Sequence, residues 1–199
     1  MERTFKEALE HRRTYYGIGK ESPIGETEVE ELVKFAVKHV PSAFNSQSTR
    51  VVVLFGENHL KLWSIVKETL RKIVPETAFE TTENKIDSFS AGYASVLFFE
   101  DESVVKSLQQ QFPGYATNFP IWSQQTSGMH QLAIWTMLED KGFGASLQHY
   151  NPLIDEDVHA AWNLPQNWKL MAQMPFGKPT AEAGDKTFFP FEERIKIFK

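Results

Sequence analysis

Arg12, Arg13 and Thr14 form the first segment whose side chains could bind a ligand. Two guanidinium groups beside a hydroxyl suit a phosphate, because they offer charge-assisted hydrogen bonds in a planar fork. A double arginine on its own is more often a solvated helix end. The segment therefore predicts a phosphate site, with a solvated helix end as the alternative.

Asn45 and Gln47 lie between Pro41, which ends a helix, and an apolar run that begins at Val51. Ligand-contacting side chains are common on such connections at the edge of a sheet. Amide groups can both donate to and accept from the polar edge of a flat heterocycle. A polar turn without a ligand is the alternative.

Gly144, Ala145 and Ser146 are three small residues at the start of a predicted strand. Small side chains let a flat ring approach the backbone closely, and they also permit tight packing of a helix on a strand. Lys178 lies in a turn after the last predicted strand, and Lys186 follows eight residues later. Either ammonium group could reach a phosphate.

The composition excludes several other classes of function. A net charge of −5 and a pI near 5.7 argue against nucleic acid as a partner. Without cysteine there is no thiol catalysis, and the six histidines show no metal-ligand spacing. The dinucleotide fingerprint, the P-loop and the nucleophile elbow are missing. Without an apolar leader or a run long enough to span a bilayer, we expect a cytoplasmic protein with no membrane partner.

Hydrophobic patterning predicts one α+β domain over residues 1–199, with helices on both faces of a mixed sheet. A Thr27–Glu30 capping box opens the second helix. One stripe of the longest helix carries Trp122, Gln125, Met129, Leu132, Ala133 and Thr136. The C-terminal segment 183–199 is too apolar to remain free in solution, which indicates that it packs on a second subunit. The predicted helices cover 2–13, 27–40, 58–74, 118–141 and 155–164, and the predicted strands cover 51–55, 94–99, 144–148 and 168–174.

The order of these segments resembles the FMN-dependent nitroreductase family. The pattern consists of an early Arg-Arg-Ser/Thr segment, Pro-Ser-x-x-Asn-x-Gln about thirty residues later, a small-residue strand after a long helix, and a Gly-x-Pro turn before a basic tail. Here these are Arg12–Thr14, Pro41–Gln47, Gly144–Ser146 and Gly177–Pro179. Segments 142–152 and 174–179 resemble a short branch that includes yeast and lactic-acid-bacterial proteins linked to fatty-acid response and nitro-compound detoxification.

The resemblance implies a nitroreductase-like layered fold with a mostly antiparallel sheet, in an entwined homodimer with two flavins. It also implies an NADH- or NADPH-dependent enzyme that reduces nitroaromatic or quinone acceptors by a ping-pong route. The hydride passes through flavin N5, so no protein acid or base is required. For the FMN phosphate, the resemblance implies contacts from Arg12 and Thr14 with Arg13 nearby, and secondary contacts from Lys178 and Lys186. For the flavin ring, it implies contacts from Ser42, Asn45 and Gln47 of the opposite subunit. It places Ala145 and Ser146 at the N5 side of the ring.

Two positions depart from the broad family. Tyr16 and Phe188 stand where many members carry a basic residue. Both changes remove positive charge expected near the reduced flavin or its phosphate. A flavin-binding regulatory or stress-response protein with incidental reductase activity is therefore an alternative. A second alternative is another flavin reaction on the same fold, such as dehalogenation or fragmentation of the flavin.

Overall fold

A single antiparallel sheet forms the centre of the molecule in the computed structural model, which describes residues 3–199. Its strands are β1 (Ile18–Gly19), β2 (Thr49–Phe55), β3 (Ala94–Asp101), β4 (Gly144–Ala145) and β5 (Trp168–Pro179). The order is β1-β5-β3-β2, and β4 pairs with β5 beside that path. Every strand pair that the structure describes is antiparallel, and an isolated bridge from Thr14 to Ala145 is parallel.

Helices cover both faces of this sheet, which confirms the predicted α+β class. Alternate side chains of β3 point to opposite faces, as the pleat of a strand requires. Val96 and Phe98 pack in one core cluster, and Leu97 and Phe99 pack in the other. The helices are α1 (Phe5–His11), α2 (Glu26–His39), α3 (Gly56–Arg71), α4 (Glu76–Ser90), α5 (Glu102–Gln111), α6 (Phe119–Asp140), α7 (Asp155–Trp162) and α8 (Phe191–Arg194). The first cluster includes α2 and α6, and the second includes α3, α4 and α7.

The two long apolar runs differ in burial. The continuous apolar run Val51–Phe55 predicts a strand that is covered on both faces. This prediction is wrong for β2, where only Thr49 and Leu54 are buried, whereas β3 is buried throughout. The reason is topological, since β2 is the last strand of the sheet and pairs only with β3 among the described residues.

Helix ends also differ from the expectations. The capping box at Thr27 is wrong, because α2 begins at Glu26 and the Glu28 carboxylate accepts from the Gly25 N–H at 3.2 Å. The polar stretches after residues 74 and 101 form α4 and α5. The helix predicted over residues 2–13 is shorter in the structure, where α1 covers Phe5–His11. Residue 2 lies outside the described range.

The buried face of α6 is mostly not the stripe that the sequence suggested, since Thr136 is the only buried residue of that stripe. Met129 and Leu132 are exposed, whereas His130, Ile134 and Leu138 are buried. Polar residues on the buried face, including Ser123, Thr126 and Ser127, weaken its hydrophobic signal. This leaves an apolar surface of α6 uncovered within one chain.

Candidate functional site

The segment Arg12–Thr14 lies beside β4. Arg12 caps the end of α1, where its N–H donates to the Ala8 carbonyl at 3.0 Å. Thr14 then forms the parallel bridge with Ala145, and the Tyr15 N–H donates to the Ala145 carbonyl at 2.9 Å. The fold thus brings together two groups that are more than 130 residues apart in the sequence.

Arg12 forms no salt bridge within 4 Å among residues 3–199, although its charge acts on the nearby Glu139. Its guanidinium carbon lies 4.4 Å from the centre of the Trp135 ring, and its Nε atom is buried without a hydrogen-bond partner in the described chain. A buried donor without a partner costs about 1–3 kcal/mol. Such a group is therefore suited to an anionic ligand that would supply the missing acceptor.

Arg13 is held by its backbone and by its side chain. Its N–H donates to Glu139 Oε2 at 2.6 Å, and its guanidinium donates to the Gly184 carbonyl at the start of the C-terminal segment. Glu139 was missed in the sequence, because a glutamate in the last turn of a helix gives no signal of burial. Burial raises the pKa of Glu139 to about 7, against the opposing effects of the Arg13 N–H and the nearby arginines.

Ser42, Asn45 and Gln47 share one turn between α2 and β2. Ser42 Oγ accepts from the Gln47 N–H at 3.0 Å. Phe44, Asn45 and Gln47 all have φ near +50°, a conformation that asparagine tolerates and phenylalanine does not favour. Each such residue stores about 1–3 kcal/mol of strain. Backbone strain of this kind is concentrated at ligand-binding loops.

Three side chains missed by the sequence reasoning anchor this turn. Arg50 donates to the Gln47 carbonyl at 2.7 Å and to Asp101 Oδ2 at 2.8 Å. The Glu100 carboxylate accepts from the hydroxyls of Ser48 and Thr49, each at 2.6 Å. Burial raises the pKa of Glu100, and the two hydroxyl donors oppose that shift. The strained turn is therefore fixed to the end of the sheet.

Phe44 extends from the turn into an aromatic cluster. Its ring stacks on Trp122 with an interplanar angle of 18° and contacts the edge of Phe119. Phe112 and Tyr115 complete the cluster, with centroids 4.9 and 5.9 Å from that of Phe44. Phe44, Phe112 and Tyr115 remain exposed, so the cluster presents aromatic surface beside the turn.

The two groups of candidate residues do not meet within one chain. Ala145 is in register with Phe176 and, through it, with Ala94, whereas Thr49 is in register with Glu100. Ala94 and Glu100 are six positions apart on β3, which corresponds to about 20 Å at 3.3 Å per residue. In one chain the two groups therefore lie toward opposite ends of β3.

The remaining predicted residues differ in whether their side chains are free to contact a ligand. Ser146 is fully buried, and its Oγ accepts from Gln148 Nε2 at 3.0 Å. The exposed Lys178 already pairs with Glu21 at 2.6 Å. Lys186 lies 5.1 Å from the centre of the Phe188 ring. Tyr16 and Phe188, at the positions that depart from the family pattern, are both exposed.

Residues 9–178 match the sequence model of the Nitroreductase family. The nitroreductase FRM2 of Saccharomyces cerevisiae is 35% identical over 183 residues, which cover 91% of each chain. This chain therefore belongs to the nitroreductase family and is an oxidoreductase, as the sequence resemblance predicted.

Solved structures agree with this assignment. Nitroreductase CinD from Lactococcus lactis, solved in complex with nicotinic acid, is 47% identical with a TM-score of 0.91, and the match covers 98% of this chain and 100% of that one. CinD was also solved with chloramphenicol and with 4-nitrophenol. A more distant structure from Desulfovibrio desulfuricans in complex with FMN is 16% identical with a TM-score of 0.71 and full coverage of both chains. This last likeness concerns the fold.

Within residues 3–199 no helix has both the length and the apolar character needed to cross a membrane. The same part of the chain contains no group of three or more acidic or histidine side chains placed to hold a metal ion.

Proposed function

We propose that the chain is an FMN-dependent NAD(P)H oxidoreductase that reduces nitroaromatic or quinone acceptors by a ping-pong route, in a detoxifying role. The observation that carries this proposal is the half-buried side chain of Arg12, whose buried Nε atom has no hydrogen-bond partner and whose guanidinium forms no salt bridge among residues 3–199. Thr14, two residues later, bridges to the small-residue strand β4, where a flat ring can approach the backbone. These residues fit a ligand with a phosphate and a planar ring.

In this proposal Arg12, Arg13 and Thr14 bind the phosphate of FMN. Ala145 and Ser146 face the N5 edge of the ring, and Lys178 and Lys186 are secondary phosphate contacts. When bound, FMN supplies the two-electron chemistry, taking hydride from NADH or NADPH and passing electrons to the acceptor. The chain itself binds, orients and shields this cofactor.

The active form in this proposal is an entwined homodimer. Ser42, Asn45 and Gln47 would reach the ring from the opposite subunit, since within one chain β2, which follows their turn, begins at a level about 20 Å from that of β4. The arm, residues 183–199, supports the dimer because its aromatic and aliphatic side chains are exposed, with Phe198 at 94%. An apolar groove of about 730 Å³ between α1, α2 and α6 offers further surface for a partner to cover.

The acceptor is proposed to be a small aromatic molecule. CinD, which is 46% identical in these matches, was solved with 4-nitrophenol and with chloramphenicol. The aromatic cluster around Phe44 adjoins the turn that would contact the ring. Offset or edge-on contacts between aromatic rings favour flat acceptors at such a surface.

The proposal is tested by the identity of the cofactor and by turnover. Flavin released by heat from the purified protein should be FMN, and the protein should oxidise NADH or NADPH faster when a nitroaromatic is present. FAD, haem or no chromophore after reconstitution with FMN would contradict the proposal. Bound FMN with no acceptor-dependent oxidation would instead favour a regulatory protein.

A further inference from the structure

Glu139 is a buried carboxylate directly behind the proposed phosphate segment. Its side chain, in the last turn of α6, is 3% exposed. Oε2 accepts from the Arg13 N–H, an amide that follows the end of α1 and has no helical acceptor. Oε1 lies 3.3 Å from His11 Nδ1 but has no hydrogen-bond partner in the described chain. One carboxylate thus fixes the backbone at Arg13.

The surroundings of Glu139 are mostly cationic. Asp140, the next residue on α6, pairs with Arg3 at 3.3 Å and so offsets one of these charges. Burial places the pKa of Glu139 at about 7, so the carboxyl is poised between its two forms at neutral pH. Burial also raises the pKa of Tyr15, with a smaller contribution from Glu139. The titratable or charged groups facing this carboxyl are Arg3 and His11 from the α1 region, and Arg12, Arg13 and Tyr15 from the following segment.

We propose that Glu139 is a positioning residue that holds the Arg12–Thr14 backbone through the Arg13 N–H and becomes more fully protonated, by uptake from solvent, when the phosphate of FMN binds. This inference rests on the proposed function, because it requires FMN phosphate at Arg12. It adds a proton-linked step to cofactor binding that the family assignment does not contain.

The physical reason is competition for the same cations. The ionised form of Glu139 is favoured by Arg12, Arg3 and Arg13. A phosphate dianion bound by Arg12 offsets part of this positive charge and adds negative charge nearby, so that the ionised carboxylate becomes less favourable. Proton uptake follows, and the affinity for FMN should fall as pH rises above 7.

The test compares FMN with riboflavin, which has the same ring and no phosphate. Apoprotein is titrated with each flavin by fluorescence quenching between pH 7 and 9, where the phosphate ester is already a dianion. FMN affinity should weaken about three- to tenfold over this range, while riboflavin affinity stays flat. Calorimetry in two buffers of different ionisation enthalpy should show net proton uptake when FMN binds and none when riboflavin binds.

Two variants of Glu139 separate its two roles. Glu139→Gln keeps an oxygen acceptor for the Arg13 N–H and cannot ionise, so its FMN affinity should be flat with pH and several-fold tighter than the wild type at pH 9. Glu139→Leu loses the acceptor, so FMN should bind more weakly at every pH. His11→Asn is the matched control, and it should retain the wild-type dependence on pH.

Each failure has a distinct meaning. A wild-type slope in Glu139→Gln, an equal slope for riboflavin, or loss of the slope in His11→Asn would overturn the assignment of the proton to Glu139 while FMN binding stands. Failure of the wild-type protein to bind FMN more tightly than riboflavin would overturn the phosphate site, and with it this inference. Failure to bind either flavin would overturn the proposed function.

Discussion

Arg12 is the residue that tests the proposed phosphate site most directly. Arg12→Ala should weaken FMN binding about ten- to hundredfold, because loss of a charge-assisted partner costs about 1.5–3 kcal/mol. Turnover should return at saturating FMN, since the phosphate is remote from N5. Flavin titration by fluorescence quenching, beside steady-state kinetics, measures both quantities.

Arg71 provides a matched control for Arg12. Its guanidinium carbon also lies over an aromatic ring, at 4.2 Å from the centre of Phe79, but it pairs with Glu83 and lies on the opposite side of the sheet. Arg71→Ala should change the free energy of unfolding slightly and leave FMN affinity unchanged. Equal FMN affinities in the two variants would show that Arg12 packs on Trp135 without binding the phosphate.

Asn45 tests the other end of the proposed ligand. Asn45→Ala should change the flavin reduction potential or the turnover as well as FMN affinity, because the amide is proposed to contact the polar side of the ring. A heterodimer with one mutant chain should keep one normal site. Redox titration and kinetics of the variant and of the mixed dimer measure these effects.

The positive φ of Asn45 requires a separate control. Asn45→Gly accepts the left-handed backbone and removes the amide, so it should share the functional loss of Asn45→Ala with less loss of stability. Asn163→Ala has the same backbone strain at the end of α7 and should affect stability alone. A thermal shift in Asn45→Ala with unchanged flavin affinity and turnover would identify a simple turn residue.

At the level of secondary-structure elements, the junction of the Arg12–Thr14 segment with β4 determines where the cations lie. A Cβ atom at Gly144 would fall 2.8 Å from the Cβ and Cγ atoms of Tyr15. Gly144→Ala should therefore push the segment away from β4, lower the free energy of unfolding by about 1–3 kcal/mol and weaken FMN binding. Urea denaturation and flavin titration measure the two effects.

Gly128 is the matched control for Gly144. It lies within α6, and a Cβ atom there would meet nothing within 4 Å. Gly128→Ala should stabilise the protein by about 0.5–1 kcal/mol through helix propensity and leave FMN affinity unchanged. If Gly144→Ala bound FMN as the wild type does, the packing of the segment on β4 would not control the phosphate site.

At the scale of the whole molecule, the arm is the feature whose large apolar side chains one chain leaves exposed. Hydrogen bonds beyond residue 184 are local, such as that from the Ile195 N–H to the Phe191 carbonyl. A chain ending at Ala183 should lose the dimer and become aggregated or free of flavin, because the partner's apolar surface is no longer covered. Light scattering and the flavin absorbance of the purified protein test this.

A slightly longer truncation separates two effects of removing the arm. A chain ending at Asp185 keeps the contact of Arg13 with the Gly184 carbonyl and still lacks the apolar residues of the arm. It should fail to dimerise as the shorter chain does. A stable monomer with FMN bound, in either truncation or in the full chain, would contradict the homodimer proposal.

The sequence by itself determined the family, the fold class and the positions of the main elements. The apolar runs at Val51 and Ala94 lie in strands β2 and β3, and the long helical pattern after Asn118 corresponds to α6. These elements could be predicted because hydrophobic periodicity is a local property of the chain. It also identified the Arg12–Thr14 and Gly144–Ser146 segments, which the fold brings together. Their roles toward FMN stay predictions.

Only the tertiary structure decided which surfaces are covered and which side chains meet. The burial of Glu139 depends on a contact with Arg13 across 126 positions, and the exposed edge of β2 depends on the order of the strands. Neither feature can be predicted from the local sequence, since a buried glutamate and a solvated one are the same residue type. The distance between β4 and the turn at Asn45 is likewise set by strand register, which long-range pairing alone determines.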